Sequence, residues 1–193
     1  DPLWSRGLGD VYKRQAQRCD VVVSGIFLTE ERLKTYDGVP YLTTSVTAFA
    51  NSEQKLVVNK LTDLSGKVVA VQAGTDYVSQ LDQANAELSK QGAEPIKIQT
   101  YPTATDVAQQ VLIGRAQAAL TQDTEVAFRM RQNPGKLKIV YTLPNAKKFA
   151  IFLRKSDSDK AAIQSAMDSL KKDKTLEKLT LKWSLPPENL NFQ

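Results

Sequence analysis

Three short polar stretches stand where apolar runs end, and each carries side chains able to hold a charged small molecule. Ser24-Gly25 closes the β-branched run Val21-Val22-Val23, with Phe27 and Arg32 close behind. Gln72-Ala73-Gly74-Thr75-Asp76 follows Lys67-Val68-Val69-Ala70-Val71, and Gln122-Asp123 follows Ala118-Ala119-Leu120-Thr121. In open parallel sheets ligands bind beyond the carboxyl ends of the strands, which makes these three ends the candidate site. Arg32 offers a planar fork of donors that matches a carboxylate. Gly74-Thr75, at a predicted helix start, offers backbone N–H groups, a hydroxyl and the positive end of the helix dipole, which favour the same anion. Asp123 can accept an ammonium group. Each has a plainer alternative: Thr75 as a helix N-cap, Arg32 in a surface ion pair with Glu30, Glu31 or Asp37, and Asp123 as an exposed helix-start aspartate.

The elements that must position these residues follow from periodicity. Val21–Val23 reads as a short buried parallel strand, and Val46–Phe49 as a second extended segment entered through Pro40-Tyr41. Lys67–Gln72 is the clearest strand, followed by a helix with Val78, Leu81, Asn85 and Leu88 at helical spacing. A strand over Ile96–Tyr101 leads to a helix with Val107, Ala108, Val111 and Leu112 on one face, stopped by Gly114. Ala118–Leu120, a further helix ended by Asn133-Pro134-Gly135, and strands over Leu137–Tyr141 and Phe149–Leu153 come next. Ser156 or Ser158 is predicted to cap a long helix with Ile163, Ala166, Met167 and Leu170 inward, and a short helix reaches Trp183. Alternating strands and helices predict an α/β fold with a parallel sheet covered on both faces. The unit from Lys67 to Tyr141 is complete in itself. The segments near Thr44–Phe49 and Phe149–Leu153 bracket it as two crossings between lobes.

Composition narrows the chemistry. The 193 residues contain no histidine and one cysteine, Cys19, which removes His-based triads, the usual zinc and haem ligand sets and any internal disulfide. No catalytic residue, metal or cofactor is expected. Apolar residues make up 41% and charged residues 24%, a globular composition, and no apolar run is long enough to span a bilayer. The net charge of +5 is spread along the chain, with the densest group (Lys171, Lys172, Lys174, Lys178, Lys182) at helical spacing. That group reads as a solvated helix face, and nucleic acid is not an expected partner. Asp1 to Gln15 lacks any period and resembles translated sequencing adapter. It is set aside as a non-native tail, with the authentic start of the protein expected to lie upstream.

Taken together, the motifs CDVVVSGIFLTEER, PY, DLSGKVVAVQAGT, YPTATDVAQQVLIGRAQAALTQD, NPGKLKIV and TLEKLTLKW resemble the extracytoplasmic amino-acid-binding proteins of ABC transporters, bacterial solute-binding protein family 3. The resemblance implies a two-lobed type II periplasmic binding fold, with residues 47–147 as a complete lobe II. Residues 16–46 and 148–193 would form a discontinuous lobe I, partial because relatives begin with a further segment. It implies a binding protein, not an enzyme, that closes by hinge motion over an amino acid or related zwitterion and delivers it to a membrane permease. Such a protein is expected to be monomeric and periplasmic or otherwise extracytoplasmic, free or anchored as a lipoprotein. In the family the arginine of S-G-x-x-x-T-x-x-R, here Arg32, grips the α-carboxylate, and Gly25, beside Ser24, offers backbone groups. Thr75 and Asp76, after Gln72 in Q-x-G-T, complete the carboxylate site, and Asp123 receives the α-ammonium. Two positions depart from the pattern. Phe27 replaces a hydroxyl-bearing residue, and Asp76 puts an acid where it would repel a carboxylate unless it turns away or pairs with a cation. Two other classes use similar folds: a dehydratase of prephenate- or arogenate-like substrates, for which Asp76, Asp123 or Glu125 would supply the acid or base, and a receptor's sensor domain.

Overall fold

The strand β4 (Val68–Gln72) shows in five residues how one half of the protein is built. Val69 and Val71 point to one face of the sheet and Ala70 to the other, the period-two alternation of a strand buried on both sides. The computed structural model describes residues 20–192, so the expectations for Asp1–Gln15 and for Cys19 lie outside the described residues. Contacts divide the chain into two units. One runs to Thr44 and resumes at Ala146, and the other is Ser45–Asn145. Both divisions fall two residues before the expected boundaries.

In the unit Ser45–Asn145 the sheet order is β5-β4-β6-β3-β7, with β3 at Val46–Asn51, β5 at Lys97–Tyr101, β6 at Ala118–Gln122 and β7 at Leu137–Thr142. β5, β4 and β6 pair in parallel, and β7 runs in the same direction as they do. β3 runs antiparallel to both β6 and β7, which corrects the expected all-parallel sheet. Helices do cover both faces. The helix at Tyr77–Lys90 packs Tyr77, Leu81, Ala84 and Leu88 on Val69, Val71 and Leu120. The helices at Ala104–Leu112 and Asp123–Gln132 set Val107, Ala108, Val111 and Val126 against Ala70, Ala119 and Phe49. Asn85 lies on the inward face because its amide pairs with both the N–H (2.7 Å) and the carbonyl (3.1 Å) of Ile96.

The other unit holds a three-stranded, wholly antiparallel sheet of order β1-β8-β2, formed by Val21–Phe27, Lys147–Arg154 and Tyr36–Thr44. The expected buried parallel strand at Val21–Val23 is therefore an antiparallel edge strand: Val22 is buried, while Val21 and Val23 are 39% and 63% exposed. A short helix, α1 (Glu30–Thr35), follows β1; the strand β2 after it was not foreseen, since Gly38 and Pro40 speak against a strand. Pro40 is tolerated because β2 is an edge strand with a register shift between Pro40 and Leu42. At Gly38 the strand is approached so closely that a Cβ would displace the Leu28 side chain.

In chain order the remaining helices are α2 (Tyr77–Lys90), α3 (Ala104–Leu112), α4 (Asp123–Gln132), α5 (Asp157–Lys172) and α6 (Thr175–Trp183). Ser156, not Ser158, caps α5, its hydroxyl accepting from the Asp159 N–H. The buried Asp37 of β2 accepts from the Ser156 N–H (2.9 Å) and from Lys155 Nζ (3.3 Å). Chiefly the Ser156 hydrogen bond holds its carboxyl below the ordinary value, against the opposing effect of burial. On α5 only Met167 is buried, with Ile163 half-buried. Ala166 and Leu170, expected inward, are exposed, because the apolar stripe of this helix is one residue wide where it meets Val39, Ile151 and Leu153. Among the described residues no helix is long and apolar enough to cross a membrane.

Candidate functional site

In the first unit the predicted residues cluster where β1 ends. The Thr29 hydroxyl accepts from the Arg32 N–H and starts α1, which turns the arginine back toward the strand. Arg32 Nη1 then donates to the Phe27 carbonyl at 2.8 Å. The ion-pair alternative is not what forms: Glu31 pairs with Lys34 at 2.7 Å, and Asp37 with Lys155 at 3.3 Å. One edge of the guanidinium is thus pinned while its remaining donors keep the geometry for a bidentate anion. Phe27 turns its ring onto Phe149, with centroids 5.2 Å apart and planes 15° apart, and Lys147 Nζ lies 4.9 Å from the Phe27 centroid. The bulk that replaces a hydroxyl is therefore absorbed by aromatic stacking and a cation–π contact. Ser24 lends its carbonyl to the Tyr41 hydroxyl (2.9 Å), and Gly25 lies over the Phe149 ring.

In the second unit the ends of the adjacent parallel strands β4 and β6 bring four predicted residues into one neighbourhood. Val71 is in register with Leu120, so the chain leaves both strands at the same level and enters α2 and α4 there. Thr75 is not the N-cap. Asp76 holds that position, and the Thr75 hydroxyl donates to the Gln72 carbonyl at 2.7 Å, closing a turn in which Gly74 takes φ +74°. Gln72 Nε2 reaches the Pro102 carbonyl at 3.3 Å. Asp76 accepts from Gln80 Nε2 (3.3 Å), one turn along α2, an engagement on its own helix.

Asp123 is 6% exposed, which corrects the exposed-aspartate alternative. One carboxylate oxygen accepts from the Ser45 N–H at 3.1 Å and the other from the Thr124 N–H at 2.7 Å, while the Asp123 N–H donates to the Ser45 carbonyl at 2.9 Å. Those bonds fix the carboxylate at the first residue of α4. Sequence reasoning missed what links the two strand ends. Tyr77, buried at the start of α2, lies near the Thr121 side chain and within the fields of Asp76, Glu125 and Asp123. Burial, then these carboxylates, push its phenol up to about 12. It also missed Tyr41 on β2 and Lys147 and Phe149 on β8, the strand that lies between β1 and β2.

These placements leave Ser24, Gly25, Phe27 and Arg32 on one unit, and Gln72, Thr75, Asp76 and Asp123 on the other. One set presents a cation and backbone groups, the other a fixed carboxylate.

The profile of the bacterial extracellular solute-binding proteins, family 3, matches residues 11–186. The L-cystine-binding protein TcyJ of Escherichia coli K12 is 26% identical over 170 residues, covering 87% of this chain and 61% of TcyJ. The probable amino-acid-binding protein YxeM of Bacillus subtilis is 25% identical over 172 residues, covering 88% and 63%. The chain thus spans less than two thirds of the length of both relatives. Among solved structures, an ancestral cationic amino acid solute-binding protein aligns with TM-score 0.74 and 27% identity, covering 91% of this chain and 73% of that one. The P235GK mutant of ArgBP from T. maritima aligns with TM-score 0.64 and 27% identity, covering 95% and 75%. The two-unit α/β architecture, the order of its motifs and these matches converge: the chain belongs to the family 3 bacterial extracellular solute-binding proteins.

Proposed function

We propose that this chain binds an α-amino acid or a related zwitterion outside the cytoplasm, as the ligand-holding part of an ABC importer that hands it to a membrane permease. The observation that carries the reading is the state of Arg32: it is pinned through one nitrogen on the Phe27 carbonyl and has none of the expected acidic partners. A half-buried guanidinium so held is suited to a carboxylate from outside the chain. Asp123, with its carboxylate oriented by the Ser45 and Thr124 N–H groups, is the matching acceptor for an ammonium. The names of relatives, cystine-binding and arginine-binding proteins among them, support the amino-acid class. Binding is the role that these residues suit: they offer charge complementary to the two ends of a zwitterion, and the family and its named relatives are binding proteins.

The test is calorimetric titration of the chain with the common amino acids and L-cystine, repeated with two variants. Arg32→Lys keeps the charge but loses the fork, and is expected to weaken binding by about 1.5–3 kcal/mol. Asp123→Asn is expected to cost at least as much for the amino acid and little for its amine-free analogue. Unchanged affinity in both variants would show that the ligand is not held as a zwitterion by these residues.

A further inference from the structure

The two strands flanking β8 are both irregular at the same level. On β1, four steps separate Val23 from Phe27 while β8 advances only two, from Ile151 to Phe149. On β2, Pro40 pairs with Ala150 and Leu42 with Phe149, which leaves Tyr41 as the surplus residue. Bulges bend a strand and re-aim its groups, and they recur beside binding sites. Here they meet: the Tyr41 ring reaches over β8, 6.2 Å from the Phe149 centroid, and its hydroxyl donates to the Ser24 carbonyl at 2.9 Å. On the far side of the same bulge, Phe27 stacks on Phe149 and its carbonyl anchors Arg32. Burial raises the pKa of the Tyr41 phenol, so it stays a hydrogen-bond donor well into the alkaline range.

We propose that Tyr41 is a positioning residue for the carboxylate end of the site: by holding the Ser24 carbonyl across β8 it fixes the Ser24–Phe27 bulge, and through the Phe27 carbonyl the direction of Arg32. This rests on the amino-acid-binding reading above. Tyr41 touches no ligand in this scheme; it acts through Ser24, Phe27 and Arg32. The hydroxyl carries the effect, because the ring stack on Phe149 would survive its removal.

The test uses Tyr41→Phe, Arg32→Lys and the double variant, each compared with the parent chain. Amide resonances of Ser24, Gly25 and Phe27 are expected to shift in Tyr41→Phe while those of β4 stay in place. Affinity for the tightest-binding amino acid is expected to fall about fivefold, the value of one net hydrogen bond. The double variant is expected to bind about as weakly as Arg32→Lys alone, because residues acting through a common group are not additive. Losses that simply multiply would show that Tyr41 is only structural and overturn the proposal, as would unshifted amides or full affinity in Tyr41→Phe. If Arg32→Lys binds like the parent, the carboxylate role of Arg32 fails first and takes this proposal with it. A normal loss in Arg32→Lys with none in Tyr41→Phe sinks this proposal alone.

Discussion

Tyr77 shows how one buried side chain joins charge, packing and the site. Its ring belongs to the core between α2 and the sheet, near the Thr121 side chain two residues before Asp123. Burial and the nearby Asp76, Glu125 and Asp123 raise its pKa from 10.0 to about 12, so the neutral phenol is favoured in the fold. The folded state then binds that proton more tightly than the unfolded chain. Its contribution is complete below pH 10 and is lost as pH rises from 10 to 12. At about 1.4 kcal/mol per unit, the parent should lose up to about 3 kcal/mol more stability than Tyr77→Phe over that interval. Urea unfolding of both proteins at pH 9 to 12 measures the difference, and curves that fall in parallel would rule the effect out. Residue types and spacing put Arg32 and Asp123 forward as candidates. Tyr77 and Tyr41 escaped because a tyrosine in an apolar stripe looks the same whether or not its hydroxyl is used.

At the scale of elements, protection should follow strand position. β4 has a hydrogen-bonded neighbour on each side and a helix over each face, whereas among the described residues β1 is paired only with β8 and leaves Val21 and Val23 exposed. Amide exchange in Val68–Gln72 is therefore expected to be on the order of a hundredfold slower, or more, than in Val21–Val23. Equal protection, measured by exchange mass spectrometry or NMR, would mean that the free edge of β1 is covered. The same contrast explains which elements could be read in advance. Runs such as Val68–Val71 and Ala118–Leu120 are apolar on both faces, and helices with several inward residues, such as α2 and α3, keep a clear period. Direction could not be read: nothing local in Val21–Val23 or Leu137–Tyr141 separates a parallel from an antiparallel strand, and the sheet partner decides it. β2 stayed hidden because Gly38 and Pro40 are tolerated only through tertiary context, a close approach by Leu28 and an edge position. On α5, Ala166 and Leu170 fit the helical period, but the surface beneath accommodates only Met167 and Ile163.

At the scale of the molecule, the two units differ in how their chain is closed. The segment Ser45–Asn145 begins and ends at one place: β3 and β7 pair from Thr47↔Thr142 to Asn51↔Leu137, and the Leu143 N–H donates to the Val46 carbonyl at 2.8 Å. Its sheet has a core on each side, one around Leu81, Val71 and Leu120 and the other around Phe49, Val111 and Val126. A contiguous segment with adjoining ends and its own double core meets the requirements of an independent domain. The other unit is made of two separate chain segments, joined by the antiparallel ladders of β8 with β1 and β2, by the bonds of Asp37 to Ser156 and Lys155, and by the packing of Val39 on Met167. The fragment Ser45–Asn145 expressed alone is therefore expected to fold, with one cooperative urea transition of slope about 1 kcal/mol/M or more and slow exchange retained at Val68–Gln72. Asp123 keeps its Ser45 and Thr124 partners within that fragment, so its carboxylate should hold its orientation there. The same fragment is expected to bind amino acids far more weakly than the whole chain, because Arg32 is not in it. A gradual transition with collapsed amide dispersion would show that this unit depends on the other for its fold, and full-strength binding by the fragment would remove Arg32 from the site.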